Sequence, residues 1–105
     1  MDILETIKKQ IADNKMIIYM KGSPSAPHCG FSAQAVRLLD ACGHPYAYVD
    51  ILVNPDIRAT LPTYANWPTF PQLYINGELI GGCDIMTELF EKGELQKMVN
   101  EAFAS

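Results

Sequence analysis

KMIIYMKGSPSAPHCGFSAQAVRLLDACGHPYAYVDI, residues 15–51, reads as a strand, a loop, a helix and a second strand. The first run, KMIIYMK (15–21), is short, apolar and rich in β-branched residues, the pattern of a buried strand. Gly22, Pro24 and Pro27 then punctuate a loop over 22–28. Ala35, Val36, Leu39 and Cys42 recur at helical spacing, and Gly43 closes that helix. YAYVDI (46–51) supplies the second strand.

The flanks extend the same logic. Ile3, Leu4, Ile7 and Ile11 predict an N-terminal helix, with Asp2 and Glu5 spaced as a capping box. Asn54 and Pro55 suit the cap and first turn of a third helix carrying Ile57 and Leu61, which Pro62 should end or kink. QLYI and ELIG flank Asn76-Gly77, a strong hairpin signal. Asp84 is placed to cap a fourth helix (Ile85, Met86, Leu89, Phe90). Gly93 breaks that helix before a fifth with Leu95, Met98, Val99, Ala102 and Phe103.

The resulting order is αβαβαββαα over residues 1–105, expected to be one domain without repeat or linker. Strand–helix–strand units imply parallel pairing, and the Asn76-Gly77 turn implies one antiparallel pair. The expected α/β architecture is therefore a four-stranded mixed sheet with helices on both faces, as in the thioredoxin fold.

Composition narrows the function. Hydrophobic residues make up 49% of the 105 and charged residues 19%, as in a globular protein. Eight basic against twelve acidic residues leave a net charge of -4, which argues against nucleic acid or an anionic membrane surface as the main partner. The N-terminal stretch lacks the basic head and apolar core of a secretion signal. No apolar run approaches the roughly 20 residues that span a membrane. A cytoplasmic location is the expectation. Three cysteines there read as thiols and not as a disulfide framework.

Each thiol has its own setting. Cys29 stands at the cap or first turn of the second helix, where unpaired N–H groups and the helix dipole favour an anion. A thiolate is such an anion, so this thiol should be acidic and nucleophilic, with Lys21 able to add positive charge. Three residues on, where a redox pair would carry its second cysteine, stands Ser32. Cys42 lies about 20 Å farther along the helix at roughly 1.5 Å per residue, on its apolar stripe, and reads as core. Cys83, between Gly81-Gly82 and Asp84, starts another helix; packing, ligand contact and occasional disulfide formation with Cys29 are all open to it. His28 and His44 read as solvated loop residues, with tuning of the adjacent Cys29 the alternative open to His28.

YMKGSP (19–24), CGFSAQAV (29–36), YVDIL (48–52) and WPTFPQLYINGELIGGCDI (67–85) together resemble the monothiol glutaredoxins of the CGFS class, especially bacterial single-domain members. The resemblance covers most of the chain. It implies a glutaredoxin fold with a groove for glutathione beside Cys29. Lys21 and Arg58 would pair with the glycyl carboxylate, and Phe70 would offer its backbone to the cysteinyl part. Pro71 would be the cis-proline, and Cys83 with Asp84 would hold the γ-glutamyl end. His28 stands where relatives vary, and the longer acidic tail of some relatives is not expected here.

A lone thiol cannot resolve a mixed disulfide within its own chain, so Cys29 is left with exchange through glutathione or with metal ligation. A [2Fe–2S] cluster takes four ligands. Two copies of Cys29 and two glutathiones meet that count, and the resemblance implies such a cluster-bridged homodimer, monomeric without its cluster. It also implies BolA-type proteins as partners and apo-proteins as cluster acceptors. The expected function is thus iron–sulfur cluster transfer. A glutathione-dependent oxidoreductase using Cys29 is the alternative, and an inert thioredoxin-like interaction module is a third.

Overall fold

The computed structural model describes residues 2–104. Its elements, in chain order, are α1 (Ile3–Asp13), β1 (Met16–Met20), β2 (Gly22–Ser23), β3 (Ala26–Pro27), α2 (Gly30–Cys42) and β4 (Ala47–Asp50). They continue with α3 (Pro55–Ala65), β5 (Gln72–Ile75), β6 (Glu78–Gly81), α4 (Cys83–Glu91) and α5 (Glu94–Phe103). The four longer strands form one sheet in the order β4-β1-β5-β6, and β2 pairs with β3 in a separate two-stranded piece.

β1 is buried along its whole length, and its side chains alternate between two cores. Met16, Ile18 and Met20 join Val36, Leu39, Leu73, Met86, Leu95 and Val99, contributed by α2, β5, α4 and α5. Ile17 and Tyr19 join Ile7, Ile11, Ile51, Ile57, Leu61 and Tyr74, which brings in α1 and α3. Helices thus cover both faces, as the apolar patterning requires. Burying one Leu or Ile of this kind contributes about 1.5–3 kcal/mol.

Pairing differs from expectation at one strand. β1 runs parallel to β4, but β5 is antiparallel to β1 as well as to β6. The second strand–helix–strand unit therefore makes no parallel pair: β5 joins β1 on the side away from β4, in the opposite direction. The Asn76-Gly77 turn forms as expected, with φ of 51° and 81° and Ile75 opposite Glu78.

Three helix-end details also differ. α3 continues through Pro62 to Ala65, because one ladder bond lost within a turn of the end leaves the rest intact. The carbonyl of Pro62 instead accepts the Trp67 N–H at 3.0 Å, tying the helix end to the next loop. Asn54 does occupy the cap of α3 but turns its amide back to the Asp50 carbonyl at 2.8 Å. α4 is capped by Gly82 and starts at Cys83, so Asp84 sits inside the first turn and does not cap it. At α1, Asp2 accepts the Glu5 N–H at 2.8 Å, one half of the expected box. His44, expected in solvent, is half-buried and stacks on Phe103 with ring centres 4.8 Å apart.

Candidate functional site

The loop before Cys29 is held by backbone bonds that no periodicity reveals. β2 and β3 form a tight hairpin, Gly22 opposite Pro27. His28 N–H donates to the Lys21 carbonyl at 2.9 Å, and the Asp50 carboxylate accepts Gly22 N–H at 3.0 Å and Leu52 N–H at 2.9 Å. Gly22 has φ +92°, and a Cβ there would lie 2.4 Å from the Ala26 carbonyl oxygen. Only glycine fits this corner without strain.

Cys29 is the N-cap of α2, in extended backbone, and its Sγ accepts the Ser32 N–H at 3.3 Å. Its thiol donates to Ser32 Oγ, also at 3.3 Å, and Ser32 Oγ in turn accepts the Lys21 N–H at 3.1 Å. Ser32 is completely buried. It is the residue that sequence reasoning treated only as a missing thiol. When Cys29 ionises, the hydroxyl, already engaged as an acceptor by Lys21, has its own proton free for the sulfur.

The electrostatics follow. Partial burial by itself pushes the Cys29 thiol up, but the Ser32 hydroxyl, the N–H groups of Ser32 and Phe31 and the charge of Lys21 outweigh it. The net result is a thiol held below the ordinary range. His28 is not among the groups that set this acidity; its ring packs over Gly22. Burial pushes Cys42 up. Burial also raises Cys83, Asp84 and the neighbouring Cys29 add to the rise, and Thr87 and Arg37 oppose it. Cys29 therefore keeps its thiolate to lower pH than either of the others. At neutral pH a limiting dose of iodoacetamide labels Cys29 first, read by peptide mass spectrometry. Ser32→Ala removes a hydrogen bond to a charged group and slows that labelling about tenfold. Labelling led by Cys83, or an unchanged rate in the variant, would contradict this assignment.

Beside Cys29 lies an open groove of about 690 Å³. Its lining includes Lys21, Arg58, Phe70, Pro71, Cys83 and Asp84, six residues drawn from four separate parts of the chain. Cys29 itself does not line the groove; its neighbours Lys21 and Phe31 do, and Phe31 is 65% exposed. Phe70-Pro71 is a cis peptide bond. Among the described residues, no carboxylate is paired with the Lys21 ammonium or the Arg58 guanidinium. No side chain caps the N-terminus of α4. The groove wall thus combines cations with a helix start that has no side-chain cap, next to a carboxylate.

Trp67 forms part of the wall, and its buried Nε1–H has no partner among the described residues. A Cβ on Gly82 would lie 3.2 Å from the Pro71 carbonyl oxygen and 3.6 Å from that nitrogen, so the indole packs directly against the helix start. Among the described residues no group of three or more His, Cys, Asp or Glu is gathered to hold a metal ion. No helix among the described residues is long and apolar enough to cross a membrane.

Comparison with known proteins bears on this arrangement. The glutaredoxin family model matches residues 16–80. Glutaredoxin 4 of Escherichia coli (strain K12) is 63% identical over 101 residues, covering 96% of this chain and 88% of its own. Glutaredoxin 4 of Pasteurella multocida (strain Pm70) is 61% identical over 104 residues, 99% of this chain and 95% of its own. The solution structure of reduced poplar apo GrxS14 superposes with a TM-score of 0.84 at 44% identity, over 98% of this chain and 94% of that one. A crystal structure of a buckwheat glutaredoxin–glutathione complex gives 0.83 at 26% identity, over 96% and 90%.

Proposed function

The chain belongs to the glutaredoxin family, and from that premise we propose that it is a monothiol glutaredoxin that carries a [2Fe–2S] cluster to apo-proteins. In this reading glutathione occupies the groove. Lys21 and Arg58 meet its glycyl carboxylate, the backbone of Phe70 before Pro71 meets its cysteinyl part, and Cys83 with Asp84 meets the γ-glutamyl end. Support comes from the chemistry of these groups: unpaired cations suit a carboxylate, and Asp84 at an open helix start suits an amino acid head group. The buckwheat relative is a glutathione complex.

The observation that carries the proposal is the setting of Cys29. Its thiol is acidified and partly exposed, and the position of a resolving cysteine is filled by buried Ser32. Cys42 is buried on the far end of α2 and takes no part. One usable thiolate per chain, with a groove for a second from glutathione, supports cargo shared by two copies. Half of the cargo's ligands then come from dissociable tripeptides, which suits delivery over permanent storage. A BolA-type protein replacing one copy, and a cytoplasmic setting, belong to the same proposal.

Anaerobic reconstitution with iron, sulfide and glutathione tests it. The expected product is a coloured dimer with a [2Fe–2S] absorption spectrum; a colourless monomer would defeat the proposal. The acidity of Cys29 also favours a second reading, a glutathione-dependent oxidoreductase. There the Cys29 thiolate attacks the glutathione sulfur of a mixed disulfide and releases the substrate thiol. A second glutathione thiolate then attacks the Cys29–glutathione disulfide, yielding glutathione disulfide and free Cys29. Fast turnover of a small glutathione mixed disulfide would promote this reading.

A further inference from the structure

Gln72 opens β5 immediately after Pro71 and is completely buried. A buried side-chain amide is costly to leave unpaired, so its partners show what it does there. Its Nε2 donates to the carbonyl of Trp67 at 3.0 Å and to that of Thr69 at 3.2 Å. Its Oε1 accepts the Tyr74 hydroxyl at 3.0 Å. Carbonyl oxygens only accept, so the nitrogen has to face them and the amide has one possible orientation.

Both N–H groups are thus spent on a single loop. That loop, residues 67–71, contributes all five of its members to the groove wall. Among the described residues its only other hydrogen-bond tie is Trp67 N–H to the Pro62 carbonyl. The other end of the latch is firm. Tyr74 meets Tyr19 edge to face, with ring centres 5.7 Å apart, and the Tyr19 hydroxyl donates to Gln10 Oε1 at 2.8 Å. The loop is tied through Gln72 to the sheet and to α1.

We infer that Gln72 is a positioning residue: without touching the ligand, it holds the backbone of 67–70 in the shape that receives it. The ligand named, glutathione, rests on the function proposed above. Gln72→Met tests the inference, since methionine keeps the length and removes both donors. In the reduced full chain, hydrogen exchange at the Trp67 amide, the loop N–H that is hydrogen-bonded, accelerates about tenfold while β1 stays protected. The glutathione dissociation constant rises about tenfold by titration calorimetry, and Cys29 labelling at neutral pH stays at the parent rate.

A role in general stability alone would lower the melting temperature and leave local exchange and affinity at parent values, which overturns the inference. If Gln72→Met does not fold, Tyr74→Phe removes the bond that anchors the amide's Oε1 while preserving the ring. The variant is expected to weaken binding about threefold, and parent-level binding with parent-level exchange would overturn the inference. A parent protein that binds no glutathione defeats the proposed function and not this inference, which the exchange measurement then decides.

Discussion

Under the proposed function, Cys29→Ser is expected to fold as well as the parent and to form no cluster. The two halves of this result have different causes. At the N-cap the side chain accepts the Ser32 N–H, and serine is a favoured residue for that position. The cap bond is therefore kept, and the melting temperature stays within about 3 °C of the parent, since a cap change of a few tenths of a kcal/mol moves it little. What is lost is the sulfur. An alkoxide is not available at neutral pH, so the variant offers no ligand to iron and no nucleophile to a disulfide. Reconstitution followed by absorption spectroscopy should give less than about a tenth of the parent signal, because each copy loses the sulfur it would contribute as a ligand. A variant that reconstituted normally would take Cys29 out of the site.

Gly22→Ala is the largest expected effect on stability. The residue has φ +92°, and an added methyl would meet the Ala26 carbonyl oxygen at 2.4 Å and the His28 nitrogen at 2.8 Å. Both are backbone atoms, which cannot swing aside as the end of a side chain can. Backbone strain and overpacking together should cost about 4 kcal/mol, and urea denaturation measures this directly. The damage is aimed at the site. Lys21 and His28 flank the hairpin, so moving it disturbs the Lys21 N–H that engages Ser32. Slower Cys29 labelling should accompany the lost stability. An unfolding midpoint equal to the parent's would show that the corner relaxes freely.

Local physics made much of this legible in the sequence. β1, α2 and the Asn76-Gly77 turn follow from periodicity and turn chemistry, which depend only on neighbours in the chain. Cys29 at a helix start is legible for the same reason. Lys21, Arg58, Phe70, Pro71, Cys83 and Asp84 came from family resemblance, and the fold gathers them on one groove although they are spread over more than sixty positions of sequence. Their individual roles toward glutathione are part of the proposal.

What escaped was non-local. The direction of β5 against β1 depends on which side of the sheet the chain re-enters, and no pattern in QLYI records that. Ser32 reads as an absent cysteine until the fold brings the Lys21 N–H to its hydroxyl, eleven residues away in sequence. Its place three residues beyond the cap was the available signal. Gln72 looks like an ordinary polar strand residue until burial shows that its amide must be satisfied. Pro62 does not end α3, because a general helix-breaking rule met a site within one turn of the helix end.

Native mass spectrometry of anaerobically reconstituted protein tests the central claim most directly. The account predicts one dominant holo species containing two chains, two irons, two sulfides and two glutathiones. A single chain retaining the iron and sulfide, or a dimer retaining them with glutathione left out of the preparation, would contradict it.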